Sequence, residues 1–148
     1  MKIEEHNRIM ALDYGLKRVG IALSDPMQKF AYPYKTLENN KKLIDEVVKI
    51  INEMDVKLII IGNPNDEKTN LNSISNEINR FKISLSERVD IEIIFWDETF
   101  SSKIAQQKIL ESVTKKKKRK NKSLLDMHSA AIILTEYLEQ NLKVKSSE

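Results

Sequence analysis

The sequence predicts an α/β fold in which helices flank a five-stranded mixed sheet, three antiparallel strands followed by two parallel ones. Two apolar runs, 9–12 and 19–23, flank a polar hinge that contains Gly15, a pattern typical of a hairpin. Farther along the chain, strand-like and helical segments alternate, which favours parallel strands joined by right-handed crossovers. A length of 148 residues fits one domain, residues 1–148.

A third strand is predicted from Phe30 to Leu37. Proline cannot donate a hydrogen bond to a ladder, so Pro33 predicts that this strand lies at an edge of the sheet. Apolar residues then recur at helical spacing, which predicts an amphipathic helix from about Asn40 to Met54. The continuous apolar run 57–61 follows, and runs of this kind are buried on both faces in a parallel sheet.

The second half of the chain continues the alternation of helix and strand. A polar loop is expected over 62–70, and the helix after it has an apolar stripe made of Leu71, Ile74, Ile78, Phe81 and Leu85. Ile91 to Trp96 is the next predicted strand. A third helix is expected to run to about Val113 with Thr99 or Ser101 as its cap, and a final helix to run from Ser123 to about Leu142.

The composition limits the chemistry that a site in this chain can use. Cysteine is absent, so disulfides and thiolate metal sites are excluded, and a metal ion would need oxygen ligands or one of the two histidines. The first residues are charged, and no apolar run has membrane-spanning length. We therefore expect a cytoplasmic protein without a signal peptide or a membrane segment.

Positive charge is concentrated in one run of the sequence. The net charge is only +3, but seven of the 25 lysines and arginines lie close together: Lys115, Lys116, Lys117, Lys118, Arg119, Lys120 and Lys122. A solvated connector has the same composition, yet the run precedes the last helix and favours contact with a phosphate backbone. Lys17 and Arg18 in the first hairpin turn are further candidates for phosphate contact, although turn cations are often only solvated.

Three carboxylates occupy positions suited to a site. Asp13 ends the first strand on the same face as Ala11, and Glu98 follows the last predicted strand. Ligands of open sheets bind beyond the carboxyl ends of parallel strands, although a turn or a first helical turn also accounts for such acids. Asp126 lies on the apolar face of the final helix. Spacing alone leaves two roles open for it: a capping-box acid with Ser123, or an acid aimed at the sheet.

Four motifs follow one another along nearly the whole chain. They are Asp13-x-Gly15 with Arg18-x-Gly20-x-Ala22, Gly62-Asn63-Pro64-Asn65, Asp97-Glu98-Thr99, and Leu125-Asp126-x-x-Ser129-Ala130-Ala131. In this order they resemble the YqgF/RuvX family of the RNase H-like superfamily. The resemblance implies an RNase H-like fold and a metal-dependent endonuclease that acts in ribosome biogenesis, on pre-16S ribosomal RNA. Resolution of Holliday junctions in branched DNA is the alternative that the family also implies.

The resemblance also implies roles for the three acids. Asp13, Glu98 and Asp126 would be catalytic ligands of Mg²⁺ or Mn²⁺, which are hard cations that take oxygen ligands. Two such ions can activate water and neutralise phosphate charge. The partner would be a structured RNA precursor or branched DNA, and the oligomeric state stays open.

Two departures from the family pattern keep other functions open. Relatives have Arg where this chain has Thr99, and Leu where it has Asn63. Loss of that Arg would remove a phosphate clamp, so a non-catalytic nucleic-acid-binding protein is an alternative. An ATPase that shares the Asp-x-Gly hairpin is disfavoured, because the chain is too short for a second domain that would close over a nucleotide.

Overall fold

A computed structural model describes residues 7–63, 72–97 and 122–146, and in these ranges it shows a five-stranded sheet flanked by helices. The strands are β1 (Arg8–Tyr14), β2 (Arg18–Ser24), β3 (Ala31–Glu38), β4 (Val56–Asn63) and β5 (Glu92–Asp97). The helices are α1 (Leu43–Glu53), α2 (Asn72–Ser86) and α3 (Lys122–Ser146). None of these described helices is long and apolar enough to cross a membrane.

The sheet has the strand order β3-β2-β1-β4-β5. β1 pairs with β2 and β2 pairs with β3 in antiparallel fashion, whereas β1–β4 and β4–β5 are parallel. The mixed sheet predicted from the sequence is therefore confirmed. β3 is an edge strand, as Pro33 predicted, and Pro33 faces Ala22 beside an irregularity in the β2–β3 register.

Alternation along the strands divides the apolar side chains between two cores. One face of the sheet packs against α1 and α2, with Met10, Leu12, Ile59 and Ile61 at its centre. The other face packs against α3, and its buried residues are Ile9, Ala11, Ala22, Ile60, Ala130, Ile133, Leu134 and Leu138. Three alanines in this second set let the helix lie close to β1 and β2.

Asp25 organises the connection between β2 and β3. Its carboxylate accepts hydrogen bonds from the backbone N–H groups of Met27, Lys29 and Phe30, at 3.1, 2.7 and 2.6 Å. Burial acts to raise the pKa of the Asp25 carboxyl, but the hydrogen bonds from Phe30, Lys29 and Met27 outweigh it and hold the pKa below its ordinary value. Phe30 was expected in the third strand; instead it lies in this loop and is 71% exposed.

Two further predictions of element boundaries need correction. Gly62 and Asn63 were expected in a polar loop, but they continue β4, because their backbones pair with Trp96 and Asp97 of β5. The first helix begins at Leu43 rather than near Asn40, whose side chain instead accepts the backbone N–H of Lys42. The predicted third helix, the rest of the loop before α2 and most of the basic run lie outside the described residues.

Candidate functional site

Asp13 lies at the carboxyl end of β1, on the face of the sheet that packs against α3. Its neighbours two and four residues earlier, Ala11 and Ile9, belong to the core under α3, which fixes the face on which Asp13 lies. In the antiparallel ladder with β2, Asp13 is directly opposite Gly20. Opposed residues have Cα atoms about 4.5 to 5.5 Å apart and present their side chains on the same face.

Gly20 is the point at which α3 comes closest to this end of the sheet. A Cβ atom added at Gly20 would collide with the backbone carbonyl of Asp126 and would lie 2.7 Å from the backbone nitrogen of Met127. Any side chain here would therefore push the helix away. Because Gly20 has no side chain, the first turns of α3 can pack directly on β2 at the residue that pairs with Asp13.

The side chain of Asp126 forms an ion pair with Arg18. The Arg18 Nε–H donates to Oδ2 of Asp126 over 2.7 Å, and the two residues are 108 positions apart in the chain. Both side chains are partly shielded, with 33% of Arg18 and 23% of Asp126 exposed. Since Arg18 and Gly20 lie on the same face of β2, the pair joins the strand to the helix on the face that also carries Asp13.

The turn between β1 and β2 is held in place by Asn39. Its side-chain amide donates to the carbonyl oxygen of Gly15 over 2.7 Å, and its backbone N–H donates to the carbonyl oxygen of Lys17 over 2.9 Å. The side chain of Lys17 is exposed. The end of β1 and the start of β2 are therefore fixed relative to each other, which fixes the relative positions of Asp13 and Arg18.

Two of the three predicted acids can be placed, and both lie next to Gly20. Asp13 pairs with Gly20 in the ladder and the backbone of Asp126 packs against the same glycine, whereas Glu98 lies outside the described residues. Within the described ranges there is no group of three or more histidine, aspartate or glutamate side chains that could hold a metal ion. Asp13 and Asp126 offer carboxylate oxygens, the ligand type that hard divalent cations take, and the Asp126 carboxylate is held by the guanidinium of Arg18.

The structure describes little of the predicted basic run. Residues 115–120 of the basic run lie outside the described part of the chain, and Lys122 is the first residue of α3. His128 lies two residues after Asp126, and its Nδ1 is 2.7 Å from the carbonyl oxygen of Leu124, within the same helix. The histidine is thus engaged by its own helix.

Gly20 and Asn39 contribute to the site, but neither was expected from the sequence to have a structural role. A signal for Gly20 was present, because Ala11, Gly20 and Ala22 place small residues side by side on one face of a hairpin. Such a face allows a helix to approach closely. Asn39 gave no comparable signal, since its partners Gly15 and Lys17 lie more than twenty positions away in the sequence.

Comparison with known proteins identifies the family. Residues 7–140 match the family model RuvX, described as Holliday junction resolvase. The chain belongs to the RuvX family. A relative from Phocaeicola vulgatus is 39% identical over an alignment of 137 residues, and the match covers 90% of this chain and 96% of that protein. One from Chlorobaculum tepidum is 33% identical over 142 residues, or 95% and 99% of the two chains. Both are named as candidate pre-16S rRNA nucleases.

This chain shares its fold with solved structures of Holliday junction resolvases. T. thermophilus RuvC, solved in complex with a Holliday junction substrate, superimposes with a TM-score of 0.62 at 10% identity, covering 93% of this chain and 96% of RuvC. The fowlpox virus resolvase in complex with junction DNA gives a TM-score of 0.53 at 16% identity, covering 91% and 99%. At these identities the likeness establishes the fold, which is the RNase H-like sheet expected from the sequence.

Proposed function

We propose that this RuvX protein is an endonuclease that uses divalent metal ions to cleave phosphodiester bonds in pre-16S ribosomal RNA. The observation that supports the proposal is that Asp13 and the backbone of Asp126 both lie next to Gly20, in a chain of the RuvX family. The names of its relatives support ribosomal RNA as the substrate. The cytoplasmic location expected from the sequence is part of the same proposal.

Each acid has a role in this mechanism. Asp13 and Asp126 would hold the metal from β1 and from α3, and Glu98, placed by sequence alone, would be the third ligand. When bound, Mg²⁺ or Mn²⁺ supplies an activated water and stabilises the charge on the leaving oxygen. The ladder with β2 fixes the strand end that bears Asp13, and the contact at Gly20 fixes the helix turn that bears Asp126. The backbones of both acids would thereby be held in place before substrate arrives.

Lysine and arginine side chains would hold the substrate. Lys17 is exposed in the turn that follows Asp13, and α3 begins at Lys122, the last cation of the basic run. We expect Lys17, Arg18 and the run 115–122 to contact phosphates around the cleaved bond. Affinity should then fall steeply with salt, because each phosphate contact releases counterions.

The test is cleavage of an RNA that contains the precursor end of 16S rRNA. The wild-type protein should cleave it with Mg²⁺ or Mn²⁺ and should not cleave it after treatment with EDTA. D13N and D126N should each remove cleavage while the circular dichroism spectrum is retained. D45N is the matched control: Asp45 is an exposed acid of α1 that pairs with Arg88, and its loss should leave cleavage unchanged. Cleavage by D13N at the wild-type rate would contradict the proposal.

A four-way DNA junction provides the comparison substrate. The resolvase function is supported by the family description and by the fold shared with RuvC. Faster metal-dependent cleavage of the junction than of the RNA would assign the same acids to DNA resolution. Binding of either substrate without any cleavage would favour the alternative of a nucleic-acid-binding protein.

A further inference from the structure

The contact between Arg18 and Asp126 occupies a carboxylate that the proposed mechanism needs. The Nε–H of Arg18 lies 2.7 Å from Oδ2, and the bond to this carboxylate runs through Nε alone. A two-pronged contact between guanidinium and carboxylate would be stronger and more rigid. One third of the Arg18 side chain is exposed, so it has open space into which it can withdraw.

The guanidinium of Arg18 holds Oδ2 of Asp126, so a divalent cation that binds this oxygen competes with it. The guanidinium can release Oδ2 only by moving away, and its repulsion of an incoming cation favours that movement. Metal binding through Oδ2, or through both oxygens of Asp126, would therefore break the ion pair with Arg18.

We infer that Arg18 is a displaceable counter-ion of Asp126. Without a divalent cation it neutralises this acid and ties the first turns of α3 to β2; when the cation binds Asp126, the guanidinium withdraws. The inference rests on the proposed function in that it concerns the same acid. It makes Arg18 a positioning residue, one that acts on the metal through Asp126.

Metal affinity in the absence of nucleic acid tests this inference. Binding of Mn²⁺ to the full chain would be followed by electron paramagnetic resonance in 0.15 M salt, for wild type, R18Q and K17Q. Lys17 is the matched control, because it is an exposed cation in the neighbouring position and its loss changes the net charge equally. An ion pair of this exposure contributes little, so R18Q should bind Mn²⁺ about 1.5- to 5-fold more tightly than K17Q. R18K, which keeps the charge, should stay close to wild type.

The Nε–H group of Arg18 provides a second test of the inference. In nuclear magnetic resonance spectra the Nε–H resonance of Arg18, assigned by its loss in R18Q, should shift as Mg²⁺ is added to the wild-type protein. In D126N the resonance should start near the position of a solvated arginine and should not respond. A wild-type Nε–H resonance unmoved at Mg²⁺ concentrations that saturate the protein would overturn the inference.

The outcomes separate this inference from the proposed function. If R18Q binds Mn²⁺ no more tightly than K17Q, or if none of the proteins binds it, the counter-ion role is wrong, even if wild type cleaves RNA. If R18Q binds Mn²⁺ more tightly and no variant cleaves any nucleic acid, the counter-ion role holds and the nuclease proposal fails.

Discussion

Replacing Gly20 by alanine tests how closely the position of Asp126 depends on one missing side chain. The new Cβ would lie 2.7 Å from the Met127 backbone nitrogen and closer still to the Asp126 carbonyl group, and an ordinary contact needs 3.4 Å, so the helix must retreat by more than about 0.7 Å. The atoms it meets belong to the backbone and cannot rotate away. Overpacking of this kind costs about 1–3 kcal/mol. For a chain of this length the melting temperature should fall by about 2–4 °C per kcal/mol.

The effect of G20A on cleavage should exceed its effect on stability. A shift approaching 1 Å in a group that positions reactants can cost about 100-fold in rate. Ala22, fully buried on the same strand and the same face, supplies the control. A22G should lose about 1–2 kcal/mol through a missing methyl group and a more flexible strand, but it introduces no collision with Asp126.

The assay is metal-dependent cleavage of the precursor RNA beside thermal unfolding, for wild type, G20A and A22G. We expect both variants to be destabilised, and only G20A to lose most of its activity. If G20A melts and cleaves as wild type does, the close approach of α3 to β2 does not position Asp126. If A22G loses activity as severely as G20A, general destabilisation rather than displacement of Asp126 would account for both.

Three further predictions concern the pH dependence, the core and the basic run. The pKa of Asp25 is lowered by folding, so its carboxylate stabilises the fold above a pH of about 4 and this contribution is lost as the pH falls through the folded pKa. Urea unfolding should show D25N less stable than wild type at pH 7, with a difference that shrinks as the pH falls below about 4; a difference that stays constant with pH would refute this. L134A should lose about 2–5 kcal/mol in the same assay, because Leu134 is fully buried between α3 and the sheet; a loss below 1 kcal/mol would contradict its place in that core. Changing 116–118 to glutamine should make the slope of log affinity against log salt concentration less steep. The slope should change by about 0.7–0.9 for every phosphate that these lysines neutralise in the wild-type complex. An unchanged slope would exclude the run from the nucleic-acid interface.

The sheet could be predicted because its signals are local. The apolar runs around Gly15 and over 57–61 each specify a strand without knowledge of any partner. Pro33 placed its strand at an edge for a purely covalent reason, the missing N–H group, and the structure confirms this. Strand ends were less predictable: Gly62 and Asn63 have the composition of a turn, yet pairing with β5 keeps them in β4.

Local sequence patterns, which predicted the strands, also predicted the positions of two residues of the candidate site. Alternation alone put Asp13 on the face of Ala11, and helical spacing put Asp126 on the docking face of the last helix. Spacing could not choose between a capping acid and a sheet-facing acid at Asp126. The partner that shows its direction, Arg18, is 108 residues away, and no local pattern encodes a contact over that separation.

The central claim is that Asp13 and Asp126 together hold a divalent cation. A crystal structure of the protein grown with Mn²⁺, with the ion located by its anomalous scattering, tests that claim most directly. We expect an ion bound to a carboxylate oxygen of each of the two aspartates, with the Arg18 guanidinium withdrawn from Asp126. An ion bound elsewhere would contradict the claim, whereas Arg18 still paired with Asp126 beside an ion bound by both aspartates would contradict only the counter-ion role of Arg18.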